Sequence, residues 1–221
     1  LLLAHQSQLF PDPVPGVEHA VECLTGKIVE ADPICDDGPA AVSRRLPSMP
    51  SGGRAGFAAV TIGPSLIAVG GRDDESNGGI IRGGVSAVEA LDLNTREWSP
   101  LPDLKNPRAE LAAVAVGCIV VVLGGLNNTG GPVAAVEALD LSKNRWPWQN
   151  PDPWFELPRM PAGCRIGLAA AAVDNTVVAM GGALCDGDAV ATVEALDMVT
   201  RTWSALPDMP GGPRRDFAAA S

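Results

Sequence analysis

The side chains that could run chemistry in this 221-residue chain are few and poorly spaced for it. His5 and His19 are its two histidines, both in the N-terminal part, so a Ser-His-Asp or Cys-His arrangement is starved of His. Both read as ordinary surface or core residues rather than metal ligands. Five cysteines (Cys23, Cys35, Cys118, Cys164 and Cys185) form no C-x-x-C pair. Their odd number and irregular spacing predict reduced thiols, not a zinc site or a disulfide framework, with Cys118 a small hydrophobe. The acidic runs Asp73-Asp74-Glu75 and Cys185-Asp186-Gly187-Asp188 could turn oxygens toward Ca²⁺. Neither has EF-hand spacing, and both read as solvated loop charge. Asn127-Asn128-Thr129 has the form of a glycosylation acceptor, which the expected reduced thiols argue against. No cofactor and no metal are expected. The arginines are the better candidates, because a planar guanidinium fork matches a carboxylate. Arg54, Arg108 and Arg165 recur in step, whereas Arg82 does not.

The elements that must position these residues are repeats. Val88-Glu89-Ala90-Leu91-Asp92 returns as Val136-Glu137-Ala138-Leu139-Asp140 and as Val193-Glu194-Ala195-Leu196-Asp197. Each copy follows a glycine pair: Gly70-Gly71, Gly124-Gly125 or Gly181-Gly182. Six residues after the Asp of each copy stands a tryptophan: Trp98, Trp146 or Trp203. A period of about 50 residues marks an array of small units. In the middle unit, Leu111–Val116 reads as a small apolar strand, and Gly117 as a turn. Cys118–Leu123 is β-branched and apolar throughout, so it reads as a strand buried on both faces. Ala135–Leu141 alternates, with Glu137 and Asp140 breaking the apolar pattern, and Trp146 opens a short fourth strand after a polar turn. The Ala-rich stretch Gly167–Val173 imitates a helix, but its counterparts, Gly56–Thr61 and Leu111–Val116, carry more β-branched residues, so it too reads as strand. Four short antiparallel strands cannot bury both faces alone; sheets stacked radially can. The glycine pairs would let a neighbouring ring, the tryptophan, lie against bare backbone. They do not read as a phosphate cradle, since no helix follows them.

This order of apolar strand, Gly-Gly, loop, Val-Glu-x-x-Asp, turn, Trp and Leu-Pro-x-Met-Pro resembles the Kelch repeat. The last element appears as Leu46-Pro47-Ser48-Met49-Pro50, Leu101-Pro102-Asp103-Leu104, Leu157-Pro158-Arg159-Met160-Pro161 and Leu206-Pro207-Asp208-Met209-Pro210. One departure is consistent: Kelch repeats usually place Tyr before the Asp, and here Leu91, Leu139 and Leu196 stand there. The resemblance implies an all-β propeller of four-stranded antiparallel blades over residues 46–221, three blades plus the first strand of the next. Residues 1–29, with Ala20-Val21-Glu22-Cys23-Leu24, read as a degenerate partial blade, and 30–45 as a linker. The chain is expected to be part of a larger propeller whose other blades are elsewhere, or a ring of four blades closed by its two ends.

Function is less legible than fold. A formal charge of −10 gives no general attraction for nucleic acid or anionic membrane. No apolar run is long enough to insert into a bilayer. Enzymes of this fold leave traces that are missing: the chain has no tyrosine for a radical-copper site or a sialidase-type nucleophile, and no Glu/Asp/His metal set. The expectation is a non-catalytic protein–protein interaction module, a scaffold or partner-recruiting subunit that could belong to a large assembly. The alternative is an enzyme whose catalytic residues lie outside this chain. An intracellular, cytoplasmic location is expected, or an organellar one if a leader preceded Leu1. In Kelch domains that capture peptides, loop arginines at one mouth grip acidic side chains. That implies Arg82, Arg54, Arg108 and Arg165 as partner-binding candidates, although an Arg recurring in every blade could equally bridge neighbouring blades. Two insertions carry further candidates: the Gly71–Val88 loop, and Pro147–Phe155 with Trp148 and Trp154.

Overall fold

Short β-branched and alanine-rich runs separated by glycine or Asx turns can only pair locally, and they do. The computed structural model describes residues 46–73, 84–143 and 153–219. The degenerate blade and linker expected at 1–45, together with Arg82, Trp146 and Trp148, lie outside the described residues.

The first unit contains β1 (Arg54–Ala55), β2 (Ala58–Ile62), β3 (Ser65–Val69), β4 (Arg72–Asp73), β5 (Val88–Asp92) and β6 (Glu97–Leu101). The second contains β7 (Arg108–Ala109), β8 (Ala112–Val116), β9 (Ile119–Leu123), β10 (Leu126–Asn127), β11 (Val136–Asp140) and β12 (Trp154–Leu157). The third contains β13 (Ala169–Val173), β14 (Thr176–Met180), β15 (Val193–Asp197) and β16 (Thr202–Leu206). Three antiparallel sheets result, ordered β2-β3-β5-β6, β8-β9-β11-β12 and β13-β14-β15-β16. The innermost strand β8 lies beside both β2 and β13, so the sheets stand side by side as blades.

The middle blade shows why single sheets do not suffice. Along β9 the side chains alternate between two cores. Val121 and Leu123 pack with Leu168, Ala170 and Val177 of the third blade. Val120 and Val122 pack with Val69, Val88 and Leu101 of the first. All four are fully buried, and each contributes roughly 1.5–3 kcal/mol of apolar transfer.

One strand differs from expectation. Trp98 sits opposite Leu91, and Trp203 opposite Leu196. The residue opposite Leu139 is Trp154, not Trp146. The fourth strand of the middle blade therefore begins eight residues later than the spacing from Asp140 suggests, and the insertion precedes it. The indoles of all three donate to a carbonyl of the preceding segment: Trp98 to Pro47 and Trp154 to Pro102 at 2.9 Å, and Trp203 to Pro158 at 2.8 Å.

The glycine pairs do not receive these rings. They receive backbone. The amides of Gly71, Gly125 and Gly182 donate to the carbonyls of Arg108, Arg165 and Arg214 in the following segment, at 2.8–2.9 Å. A Cβ on Gly70, Gly124 or Gly181 would stand 2.6, 2.5 or 2.6 Å from the same carbonyl. Gly124 and Gly125 also hold φ of 61° and 94°, where L side chains are strained.

At the far end of the first and third blades, Asp92 and Asp197 close the turn after their strand. Asp197 Oδ1 accepts the amides of Val199 and Thr200, both at 2.8 Å. Those bonds, Thr200 first, hold its pKa below the ordinary aspartate value.

Gly124→Ala should cost about 3–5 kcal/mol, from blocked inter-blade backbone plus strain. Gly117→Ala should cost only about 1–2 kcal/mol, since Gly117 shares the φ (57°) but has nothing near its Cβ position. Equal losses in denaturant titrations would refute the backbone contact. Because the folded pKa of Asp197 is depressed, its stabilisation is present above the unfolded pKa and is lost as pH falls through the folded one. Carboxyl chemical shifts should show the Asp197 midpoint below about 3.9, and Asp197→Asn should flatten the acid limb of stability.

Candidate functional site

In each sheet the register sets the first strand's start, the second strand's end, the third's start and the fourth's end at one edge: Ala58 is opposite Val69, Val69 opposite Val88, and Val88 opposite Leu101. The segments leading into each blade and the loops between second and third strands therefore share one end. Short ladders tie them together. Arg54 and Ala55 pair with Asp73 and Arg72, and Arg108 and Ala109 pair with Asn127 and Leu126. In the third blade a single bridge, Ile166 to Ala183, takes their place.

The recurring arginines lie under this end, not on it. Arg54 pairs with Glu89 at 2.7 Å, Arg108 with Glu137 and Arg165 with Glu194. No side chain in the three pairs is more than 7 % exposed. Arg54 Nη1 also donates to the carbonyls of Gly70 and Ala87, each at 2.8 Å. Arg108 does the same to Gly124 and Ala135, and Arg165 to Gly181 and Thr192. Each glutamate holds a second anchor as well. Glu89 accepts Ser51 N–H at 3.0 Å and its hydroxyl at 2.7 Å, Glu137 accepts Asn106 Nδ2, and Glu194 accepts Ala162 N–H. Burial is the main force lowering the three guanidinium pKa values, and the attraction of each glutamate opposes it.

These positions correct the sequence reading. The guanidinium groups of Arg54, Arg108 and Arg165 are buried in their own blades, away from the surface, while the carbonyls of Arg108 and Arg165 join the preceding blade through the Gly71 and Gly125 amides. Trp154, expected to be partner-facing, is 2 % exposed and fills a core position. The glutamates, which interrupt an apolar pattern in the sequence, are core anchors. A signal for the pairing was present: each Arg precedes its glycine acceptor by 16 residues in all three blades. The thiols are also corrected, because Cys164 and Cys185 form a disulfide with Cα atoms 6.0 Å apart.

Near the start of the innermost strands, four residues with positive φ succeed one another: Gly56, Glu110, Gly167 and Asp216 (61°, 54°, 57° and 59°). Each joins the next by one backbone bond: Glu110 N–H to Gly56 O at 2.8 Å, Gly167 N–H to Glu110 O at 3.1 Å, and Asp216 N–H to Gly167 O at 2.8 Å. The carboxylates cover the glycines. A Cβ on Gly56 would stand 2.9 Å from Glu110 Oε1, and one on Gly167 would collide with Asp216 Oδ1. Arg72 closes on Glu110 from the first blade's loop. Phe57 and Arg215, next in sequence to Gly56 and Asp216, are exposed, as are Asp186 and Asp188 on the third blade's loop between second and third strands. Among the described residues no group of three or more His, Cys, Asp or Glu could hold a metal ion. Nor, among them, is any helix long and apolar enough to cross a membrane.

Three four-stranded blades carrying one buried pin each define a Kelch-type β-propeller. Residues 53–105, 107–146 and 164–210 match the Kelch motif, and the chain belongs to the Kelch-repeat family. It is 32 % identical over 136 residues to the rat (Rattus norvegicus) Kelch domain-containing protein 8B, covering 57 % of this chain and 36 % of that one. It is 29 % identical over 194 residues to the Kelch-like protein terF of Aspergillus terreus, covering 84 % and 39 %. An F-box/kelch-repeat protein, OR23 of Arabidopsis thaliana, is 32 % identical over 136 residues, covering 55 % and 30 %. The chain thus spans less than half the length of these relatives. The solved structure of YjhT shares the fold, with a TM-score of 0.62 over 76 % of this chain and 56 % of that one at 17 % identity. Propellers of this family commonly serve as protein-interaction modules.

Removing one partner of a buried pin strands its charge. Glu137→Ala should cost about 3–5 kcal/mol, and the double change Arg108→Met/Glu137→Leu much less. Additive losses in equilibrium unfolding would show that the two side chains act separately.

Proposed function

We propose that this chain is a non-catalytic interaction module, a scaffold or partner-recruiting subunit that seats another protein on the end of the blades carrying the lead-in segments and the loops between second and third strands. The observation that carries this reading is the division of labour at that end. Buried Arg–Glu pins hold the loops from beneath, which leaves Phe57, Arg72, Asp186, Asp188 and Arg215 to be displayed on a fixed frame. A frame ordered before contact lowers the entropic cost of binding. Loops positioned by a rigid scaffold are a common seat of recognition. The mixed charge of the displayed set favours a partner with both signs in register over a nucleic acid or an anionic surface. Membership of a larger assembly is part of the same reading.

Affinity capture with the intact protein tests it when the two ends are compared. The triple change Arg72→Ala/Asp186→Ala/Arg215→Ala should leave stability within about 1 kcal/mol, as these groups are exposed or half-exposed. It should lower the yield of the captured partner about tenfold, corresponding to about 1.4 kcal/mol. Val173→Asp/Val199→Asp, at the opposite end, should leave capture unchanged. The reverse pattern would move the site to the other end, and insensitivity of capture to both variants would remove it from the blade ends altogether.

A further inference from the structure

We propose that Cys164 and Cys185 form a reversible redox latch that fixes the β14–β15 loop against the segment leading into β13. The register shows what the sulfurs replace. In the first two blades the lead-in and the loop are joined by two residue pairs each. In the third only Ile166 and Ala183 are bridged, with reciprocal bonds of 3.0 and 2.9 Å. Two positions further along that antiparallel register, Cys164 faces Cys185, and the disulfide joins them. The corresponding lead-in positions of the other blades are Gly53 and Pro107. A covalent bond stands where the hydrogen-bonded ladder is shortest.

The bond is placed to be broken without loss of the fold. It closes a separation of 21 residues inside one blade, whose four strands are already paired throughout β13-β14-β15-β16. The lead-in has its own anchors, the Arg165–Glu194 pin and the Gly125 amide on the Arg165 carbonyl. The first two blades hold the same arrangement by hydrogen bonds and buried pins. Beyond Ala183 the tip of the loop is held by its own bonds, Leu184 N–H to Asp188 O and Gly187 N–H to Leu184 O, and its return limb by the Ala183–Ala189 bridge and by Val190, which donates to Gly182 O and accepts Arg214 N–H. Cys185 is exposed and Cys164 half-buried, so a thiol reductant approaches from the loop side.

The exchange uses an external dithiol. Its thiolate attacks the Cys185 sulfur, the S–S bond breaks, and Cys164 departs as a thiolate that takes a proton. The reductant's second thiol then displaces Cys185, which is protonated in turn. Two electrons and two protons reach the protein pair, and the reductant leaves as its own disulfide. Oxidation by a small disulfide reverses each step. This inference stands apart from the partner reading, because its readouts are thiol state and amide exchange.

The test equilibrates the intact protein in dithiothreitol/disulfide buffers of stepped ratio, alkylates differentially and maps peptides. Amide exchange is followed on the oxidised, reduced and Cys164→Ser/Cys185→Ser proteins. Cys164 and Cys185 should change together as one two-electron couple. Reduction should speed exchange over residues 184–189 about tenfold while β14 and β15 keep their protection. The double variant should match the reduced protein in both buffers. The latch is overturned if loop exchange is the same in all three proteins. It is equally overturned if β14 and β15 lose protection along with the loop, which would make the bond a structural staple, or if the two cysteines alkylate fully under oxidising conditions.

Discussion

A single backbone contact organises this molecule: the amide of the second glycine in each pair bonded to the carbonyl of the arginine that opens the next blade. Two main chains from adjacent blades meet there with no side chain between them. Only glycine permits that approach, and its positive φ turns the strand end toward the neighbour. The contact sets the spacing between blades, and the apolar cores on either face of β9 form at the distance it imposes.

The same arginine works in both directions. Its carbonyl serves the blade before, while its guanidinium reaches into its own blade to a glycine carbonyl and a glutamate. A buried ion pair is weak evidence for stability in general, because desolvation offsets most of the attraction. Here its value lies in specification. Each guanidinium ties its own lead-in to the end of the second strand and the start of the third, so the loop end of the blade has one arrangement rather than several. Among the described residues, the Nε atoms of all three arginines and Glu137 Oε2 are buried without a protein hydrogen-bond partner.

Much of the architecture is legible in the sequence because repetition exposes it. The strands over Ala112–Val116, Ile119–Leu123 and Val136–Asp140 follow from composition and turn residues, and even the helix-like run at Ala169–Val173 is resolved by its counterparts. The fourth strand of the middle blade departs from expectation because its landmark sits at a different distance. Trp146 lies at the expected interval from Asp140, but Trp154 lies three residues before Leu157-Pro158, as Trp98 does before Leu101-Pro102 and Trp203 before Leu206-Pro207. Fourth strands are anchored by the Leu-Pro step at their C-terminal end, because that step leads into the next blade while the indole bonds to the segment before its own. The glycines mislead for a related reason, since a missing Cβ reveals that something comes close without revealing what. The candidate site is the least legible part. Arginine recurrence marks importance, but burial decides whether the importance is structural, and burial depends on glutamates that look like interruptions in an apolar strand.

The run of Gly56, Glu110, Gly167 and Asp216 carries a lesson about copying. Blades that look interchangeable in sequence alternate here between one that offers bare backbone and one that lays a carboxylate over it. Duplicating the middle unit beside itself would set a glutamate against another glutamate's Cβ, with no room and no charge relief. Growth or rearrangement of the array by whole units is therefore constrained to a two-step rhythm, and neighbour order is written into the innermost turn of each unit.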